Sequence, residues 1–429
     1  MELKKYKLAD IAKIEISGVD KKTIEGETPV RLCNFVDVYY NWAITKEKAK
    51  SFMVASAKQT EIDKCSIGKG MVAITKDSET RDDIGVATYI ADDFEYVLLG
   101  YHCALITPNP AIVDGKYLNA CMHTRYIQKY FENNASGSGQ RYTLSNDTIG
   151  NIPVLIPSIE EQRTIGKVLA DIDCKIELNK LINDNLEAMA KQLYDYWFVQ
   201  FDFPNEGDKP YKSSGGAMVW NEKLKREIPQ GWTAAKIKDV AQTYSGGTPT
   251  STNSEYYNGG DIPWINSGEL NSPIITSTTN YITEEGLNNS SAKLYPQDTV
   301  LVALYGATAG KVSLLSFEAC SNQAVCGVIP QNKIMTTYIR YYLSSLYEHF
   351  ITLSSGSARD NISQDTIKNT ILPIPQGKIL KEFFDAVAPI ISKIIANQKE
   401  MENITKQRDE LLPLLMNGQA TVNYHLSDD

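Results

Sequence analysis

Two long stretches of this chain carry apolar residues at alternating steps of four and three. The first runs Ile165, Leu169, Ile172, Ile176, Asn179, Asn183, Leu186, Ala190, Leu193 and Trp197. The second runs Phe383, Val387, Ile390, Ile394, Asn397, Met401, Ile404, Arg408, Leu411 and Leu415. Each member of the second set stands 218 positions after its counterpart, as Phe383 does after Ile165. A spacing that averages 3.5 is the seam of a coiled coil, and polar breaks at Asn179, Asn183 and Asn397 fix register at some cost in stability. Two self-complementary seams of equal length and register are best satisfied by each other, so the pattern predicts a helix pair. Each seam would be ~48 Å long at ~1.5 Å per residue. Antiparallel packing about a mid-seam axis sets Asn183 opposite Asn397, whereas parallel packing would force residues 199–231 to run back along the whole helix. Ser158 followed by Glu161 reads as a capping box at the first helix's entrance; the second helix has no such cap.

The chain before each helix also repeats. "SGSGQRYTLSNDTIGN" (136–151) returns as "SGSARDNISQDTIKN" (355–369), "LADIAKIEISG" (8–18) resembles "IKDVAQTYSGG" (237–247), and "KGMVAITKD" (69–77) resembles "QDTVLVALYG" (297–306). The last pair reads as a polar turn followed by an apolar strand. Residues 116–131 and 336–350 each read as a helix ahead of the Ser-Gly-Ser loop. Apolar runs alternating with "GGTPT", "YYNGGDIP" and "SSGSAR" turns give a mixed α+β domain with a sheet core. The order is therefore a globular domain (1–157), a helix (158–200), a linker (201–231), a second domain (232–375), a second helix (376–417) and a tail (418–429). The linker is rich in Pro, Gly and Ser and is expected to be irregular.

Charge and composition narrow the chemistry. The 429-residue chain has a net charge of −9 and a pI near 5.2, and no segment is basic, so any nucleic-acid contact must be local or shared with a partner. No apolar run approaches the ~18 residues of a membrane helix, and the start "MELKKYKLAD" lacks a signal-type apolar core. Seven scattered cysteines without CxxC spacing fit reduced thiols in the cytoplasm. The four histidines form no metal-ligand pattern, and there is no GxSxG elbow or convincing GxGxxG. "GATAGKVS" (306–313) has three residues between its glycines and Val312 after Lys311, which excludes a P-loop. Gly306, Gly310 and Lys311 nevertheless suit a phosphate backbone, since small residues allow close approach and Lys supplies charge. With no catalytic constellation, the sequence reads as a binder: two diverged domains on a spacer suit a duplex ligand with two half-sites, ~34–36 Å apart per helical turn.

"IPQGW", "SGGTP", "IPWINSGEL", "SNQAV", the Ser-Gly-Ser exit with its helix, and the linker phrase "FDFPNEGDKPYKSSGGAMVWN" together resemble the specificity (S) subunit of type I restriction–modification systems. The order of these motifs, twice over, covers essentially the whole chain. The first domain departs most: "RLCNFVDVYYN" stands where the second has "IPWINSGELN", and no "SNQ" is evident near "GYHCALITPN". The resemblance implies two pseudo-symmetric target-recognition domains of mixed α/β structure with a twisted sheet, separated by a long antiparallel two-helix coiled coil. Each domain would read half of a bipartite, gapped site in double-stranded DNA. The helices would bind two methyltransferase (M) subunits that use S-adenosylmethionine for adenine N6 methylation after base flipping. Restriction (R) subunits would add ATP- and Mg-dependent cleavage, leaving this chain non-catalytic and without a cofactor or metal of its own. On that reading Lys311, Gly306 and Gly310 hold backbone, Asn322 and Gln323 read adenine, and Arg359 reads guanine or phosphate. In the first domain Arg141 with Gln140 takes Arg359's part, joined by Lys76 and Arg81. A DNA-binding subunit of another phage-defence methylation system, or a coiled-coil adaptor without DNA specificity, stand as the alternatives.

Overall fold

The computed structural model describes residues 2–137, 141–354 and 362–422. The chain divides into two compact units, Met1–Leu178 with Met401–Asp429, and Asn179–Glu400. Each contains one globular domain and a part of each long helix.

In the first unit a five-stranded sheet has the order Ala12–Ile16, Cys103–Pro108, Val72–Thr75, Ala87–Ile90, Ala43–Ile44. In the second unit the order is Ala241–Ser245, Val325–Pro330, Val300–Ala303, Val312–Leu315, Ile274–Ile275. The last pair is parallel in both sheets and the rest are antiparallel. The central strands Val72–Thr75 and Val300–Ala303 are buried at every position. Burial at every position belongs to a strand covered on both faces. The repeat extends to smaller parts. "LADI" and "IKDV" each form a short helix running into an edge strand, and Lys4–Lys7 pairs with Pro153–Ile156 as Thr233–Lys236 pairs with Ile371–Ile374. A weak similarity of sequence is thus a close similarity of topology.

Ahead of the Ser-Gly-Ser loops the structure has two short helices in each unit where the sequence predicts one: Gly115–Met122 and Arg125–Asn134, then Thr336–Ser345 and Tyr347–Ser354. In the first unit Thr124 causes the break, because its hydroxyl accepts the Ile127 amide at 3.4 Å and caps a new helix.

The long helices span Ile159–Tyr194, continued by a π-helical turn at Asp195–Val199, and Gly377–Met416. Ser158 and Glu161 form the capping box: the Ser158 amide donates to Glu161 Oε2 at 3.1 Å, and Ser158 Oγ accepts from the Glu161 amide at 3.4 Å. Within the second unit Asn397 Nδ2 donates to Asn183 Oδ1 at 2.9 Å, and Asn183 Nδ2 donates to the Ile394 carbonyl at 3.3 Å. Asn179 Nδ2 donates to Glu400 Oε2 at 2.9 Å. Later in the first helix, Trp197 and Phe198 meet Phe383 from the beginning of the second, with ring centroids 5.8 and 4.8 Å apart. Late residues of one helix meet early residues of the other, so the pair is antiparallel and Asn183 faces Asn397 as the seam predicts. In the first unit Ile165 and Leu169 share a core with Leu412, Leu415 and Met416. One seam position differs: Leu411 is exposed and Leu412 is buried in its place. Beyond Arg408, whose guanidinium lies 4.9 Å from the Trp42 ring centre, the helix packs on the domain core and returns to its natural 3.6-residue period.

The linker is more ordered than its composition predicts. Met218–Asn221 pairs antiparallel with Arg226–Pro229, and Phe201, Phe203 and Trp232 are buried in the second unit's core. The Phe203 ring stacks on Tyr211 at 4.7 Å and on Trp232 at 5.3 Å. Glycine and proline set the turns here, while the aromatic rings supply the burial that holds them. No described helix is long and apolar enough to cross a membrane.

Candidate nucleic-acid interface

In the second unit three separated motifs fold onto one another. Ile262–Ile265 lies parallel to Cys320–Ser321, which brings "IPWIN" beside "SNQAV". The Trp264 indole donates to the Gly247 carbonyl at 2.9 Å, and the Gly247 amide donates to the Ser321 carbonyl at 2.8 Å, which brings in "SGGTP". A Cβ on Gly246 would stand 2.1 Å from the Asn322 carbonyl, so this crossing needs glycine. Asn266 opens a 3₁₀ turn, Ser267–Asn271, with its amide donating to Glu269 Oε1 at 2.8 Å.

The predicted residues lie at the two ends of that turn. At its start, Asn322 Nδ2 donates to Asn266 Oδ1 at 3.0 Å, and Asn322 Oδ1 accepts the Ala324 amide at 3.1 Å. Both ends of the Asn322 carboxamide are thereby committed to the loop, and its neighbour Gln323 is the exposed one, meeting Thr248. At the turn's far end Lys311 Nζ donates to Asn271, while Thr308 Oγ1 donates to the carbonyl of Ser267 at its start, at 2.9 Å. Gly306 and Gly310 have φ of +84° and +79°, the left-handed conformation that glycine adopts without strain. Arg359 and Gln140 lie outside the described residues.

The first unit repeats this frame with other side chains. Cys103 pairs with Thr75 as Val325 pairs with Ala303, so Gly100, Tyr101 and His102 stand where Asn322, Gln323 and Ala324 stand. The Gly100 amide donates to the Cys33 carbonyl at 2.8 Å, as the Asn322 amide does to Ile265 at 3.0 Å. Asn34 repeats Asn266, its amide donating to Asp37 Oδ2 at 2.7 Å at the head of the helix Phe35–Tyr39. The match between "RLCNFVDVYYN" and "IPWINSGELN" is therefore one of position.

Arg141 reaches this place through a small ribbon. Ser136–Gly137 pairs with Tyr142–Thr143, which pairs with Asp77–Ser78. A Cβ on Gly137 would lie 2.1 Å from the Arg141 carbonyl, so the ribbon closes only around glycine. Asp77, with 9% of its side chain exposed, accepts from Lys76 Nζ at 3.2 Å, His102 Nδ1 at 2.6 Å and Arg141 Nη2 at 3.1 Å. Burial works to raise the Asp77 carboxyl, but hydrogen bonds from Thr143, His102 and Lys76 outweigh it and bring the pKa down to about 2. Arg81 sits 5.0 Å from the centre of the Tyr142 ring. Lys76 and Arg141 are thus assembled around Asp77 and His102, two residues that the sequence reading did not select, while Arg81 stands over the neighbouring Tyr142 ring. A cleft of about 580 Å³ opens beside them, lined by Phe35, Tyr39, Tyr40, Asp83, His102 and Arg141 among others.

Known proteins share this fold. The sequence model of the type I restriction modification DNA specificity domain matches residues 1–188 and again residues 229–406. The chain belongs to that family. The specificity subunit of the type I restriction enzyme HindI from Haemophilus influenzae is 27% identical over 396 residues, covering 80% of this chain and 85% of its own length. The specificity subunit of MjaIX from Methanocaldococcus jannaschii is 28% identical over 321 residues, covering 74% and 71%. The crystal structure of the type I restriction–modification S subunit from M. genitalium has the same fold, with a TM-score of 0.58 at 14% identity over 97% of this chain and 96% of that one. In the family's terms, the two repeated globular domains are its two DNA specificity domains.

Proposed function

We propose that this chain is the DNA-reading subunit of a type I restriction–modification complex. Each domain reads one half of a bipartite, gapped site, and the antiparallel helices set the gap. The observation that carries this reading is the duplication of the whole specificity domain with matched helices. A repeated reader suits a ligand with two half-sites. The acidic chain meets phosphates locally, through Lys311 in the second domain and Lys76, Arg81 and Arg141 in the first.

The chain acts as a non-catalytic subunit with no cofactor of its own. S-adenosylmethionine belongs to two methyltransferase subunits, and ATP and Mg to restriction subunits. In the second unit the first long helix leaves apolar side chains in solvent: Leu181 is 51% exposed, Met189 57% and Val199 49%. A stripe of this kind on a helix already paired along its other face suits protein partners.

The test is to copurify the chain with the methyltransferase encoded beside it and map N6-methyladenine across a host genome. A single split motif with a fixed gap is expected. Methylation without a bipartite motif would falsify the proposal, and failure of the methyltransferase to copurify would remove the part given to the helices.

A further inference from the structure

Where the second domain packs on the first long helix, the short helix Thr336–Ser345 makes contacts of two kinds. One is aromatic: the Tyr341 ring lies 5.6 Å from that of Tyr194, and Tyr338 lies 4.7 Å from Phe198. The other is ionic. Arg340 Nη2 donates to Glu187 Oε1 at 2.6 Å, with the Arg340 side chain 2% exposed and that of Glu187 23% exposed. From Glu187 to Tyr194 is two turns of the long helix, ~10 Å at ~1.5 Å per residue. The same short helix is tied to the strand that leads into the second long helix. Tyr338 Oη donates to the Pro373 carbonyl at 2.5 Å, and Tyr342 Oη to the Ile371 carbonyl at 2.6 Å. It is a bracket that joins the domain to the helix pair.

The two anchors constrain different things. Apolar packing is non-directional, so the aromatic cluster alone would leave the domain a pivot. A buried ion pair is directional and also costly, since apolar side chains of similar volume in its place are often as stabilising or more so. Arg340 and Glu187 therefore contribute little to stability and much to orientation. An anchor ~10 Å from the aromatic cluster removes the pivot.

The first domain does not repeat this pair. Tyr117 is the counterpart of Tyr338: both are fully buried, and each hydroxyl donates to the third residue of the exit strand, Leu155 at 2.8 Å and Pro373 at 2.5 Å. Two places on, Asn119 stands where Arg340 stands, and its Nδ2 donates to the Trp42 carbonyl of its own domain at 3.3 Å.

Resting on the reading above of two half-sites and a fixed gap, the geometry points to Arg340 and Glu187 as a positioning pair. They fix the angle at which the helices present the second domain, and so the number of base pairs accepted between the half-sites. One base pair moves a half-site by ~3.4 Å and turns it by ~34–36°. A domain free to pivot follows such a step, and a domain held at two points does not. Buried in the joint, the pair leaves the letters of the half-motif to other residues.

The experiment takes the half-motifs and gap mapped for the unaltered chain and builds synthetic duplexes with that gap and with one base pair more or fewer. Methylation rates of the complete methyltransferase complex are compared on the three. Arg340→Met together with Glu187→Leu removes both charges at similar volume, so the joint stays packed. This double variant should keep the letters of both half-motifs and lower the preference for the mapped gap by roughly 2- to 30-fold, the scale on which packed residues modulate coupling between distant sites. Glu187→Asp draws the carboxylate back by one methylene and should lower the preference in the same direction, by less. An unchanged gap preference in the double variant overturns the inference, as does loss of a letter in the second half-motif with the gap preference intact. Should the double variant fail to assemble, an unchanged preference in Glu187→Asp overturns it instead. A split motif from the unaltered chain leaves the proposed function standing in each of these cases, whereas an unsplit one defeats both.

Discussion

Replacing Asn183 and Asn397 by leucine, singly and together, measures whether the two helices meet where the seam requires. Asn397 is 2% exposed and Asn183 8%, and they are joined by a 2.9 Å hydrogen bond. In Asn397→Leu the Asn183 carbonyl oxygen loses its donor and stays buried, a loss worth about 1–3 kcal/mol. In Asn183→Leu both the Asn397 amide and the Ile394 carbonyl lose a partner, and the cost is similar or larger. In the double variant no polar side chain remains to be satisfied, and two apolar groups of similar volume replace the pair, so the change should be near neutral or stabilising. The double variant should therefore be more stable than the sum of the singles by at least about 1–2 kcal/mol, within the range of touching side chains. Equilibrium urea unfolding followed by tryptophan fluorescence reads the cycle, because Trp197 and Trp232 lie in the same core cluster. Additivity within about 0.5 kcal/mol would mean that the two asparagines never meet, and the antiparallel register would fall with it.

Three further outcomes are expected. Burial pushes the Asp173 carboxyl up to about 6; Lys48 opposes this, Glu177 adds to it and Arg408 opposes it. A raised folded value means that stability falls as pH rises from about 4 through 6 and stays lowered above, so Asp173→Asn should gain about 2–3 kcal/mol at pH 7.5 and nothing at pH 4, read from denaturation midpoints. Gly137→Ala should break the ribbon that carries Arg141, lowering DNA affinity of the complex for changes in one half-site only; equal loss for both half-sites would contradict the ribbon's local role. Lys311→Ala should weaken binding uniformly across sequences and reduce the slope of log affinity against log salt by about 1, measured by fluorescence anisotropy at several salt concentrations.

The helices were legible in the sequence because their burial depends on local period. Ile165, Leu169, Phe383 and Val387 report it directly, and the seam fails only at Leu411, where a domain surface replaces a helix as the partner. The doubled topology was legible through "LADI", "IKDV" and the apolar central strands. The charged centre around Asp77 in the first domain was only partly so. Lys76, Arg81 and Arg141 stand out as cations near turns, but Asp77 and His102 acquire meaning only from strand pairings that join residues 77, 102 and 141. No spacing encodes those contacts. Setting "GYHCALI" against "NQAVCGV" by their following strands would have singled out His102, since the alanine opposite it has no polar group. The linker misled in the other direction: Gly and Pro announced its turns, while Phe201, Phe203 and Trp232, which order it, were hidden among them.

The membership of residues 401–416 in the first unit sets the order of events on the ribosome. Residues 1–178 leave the tunnel first, yet Leu412, Leu415 and Met416, which complete their core, emerge only after all of residues 179–400 have been made. At about 5–20 residues per second this is a wait of roughly 10–45 s. During that interval Ile165 and Leu169 stand uncovered on a nascent chain, a natural target for chaperones. A nonsense codon just upstream of Leu412 would therefore strip the earliest-made domain of its lid while sparing the one translated after it.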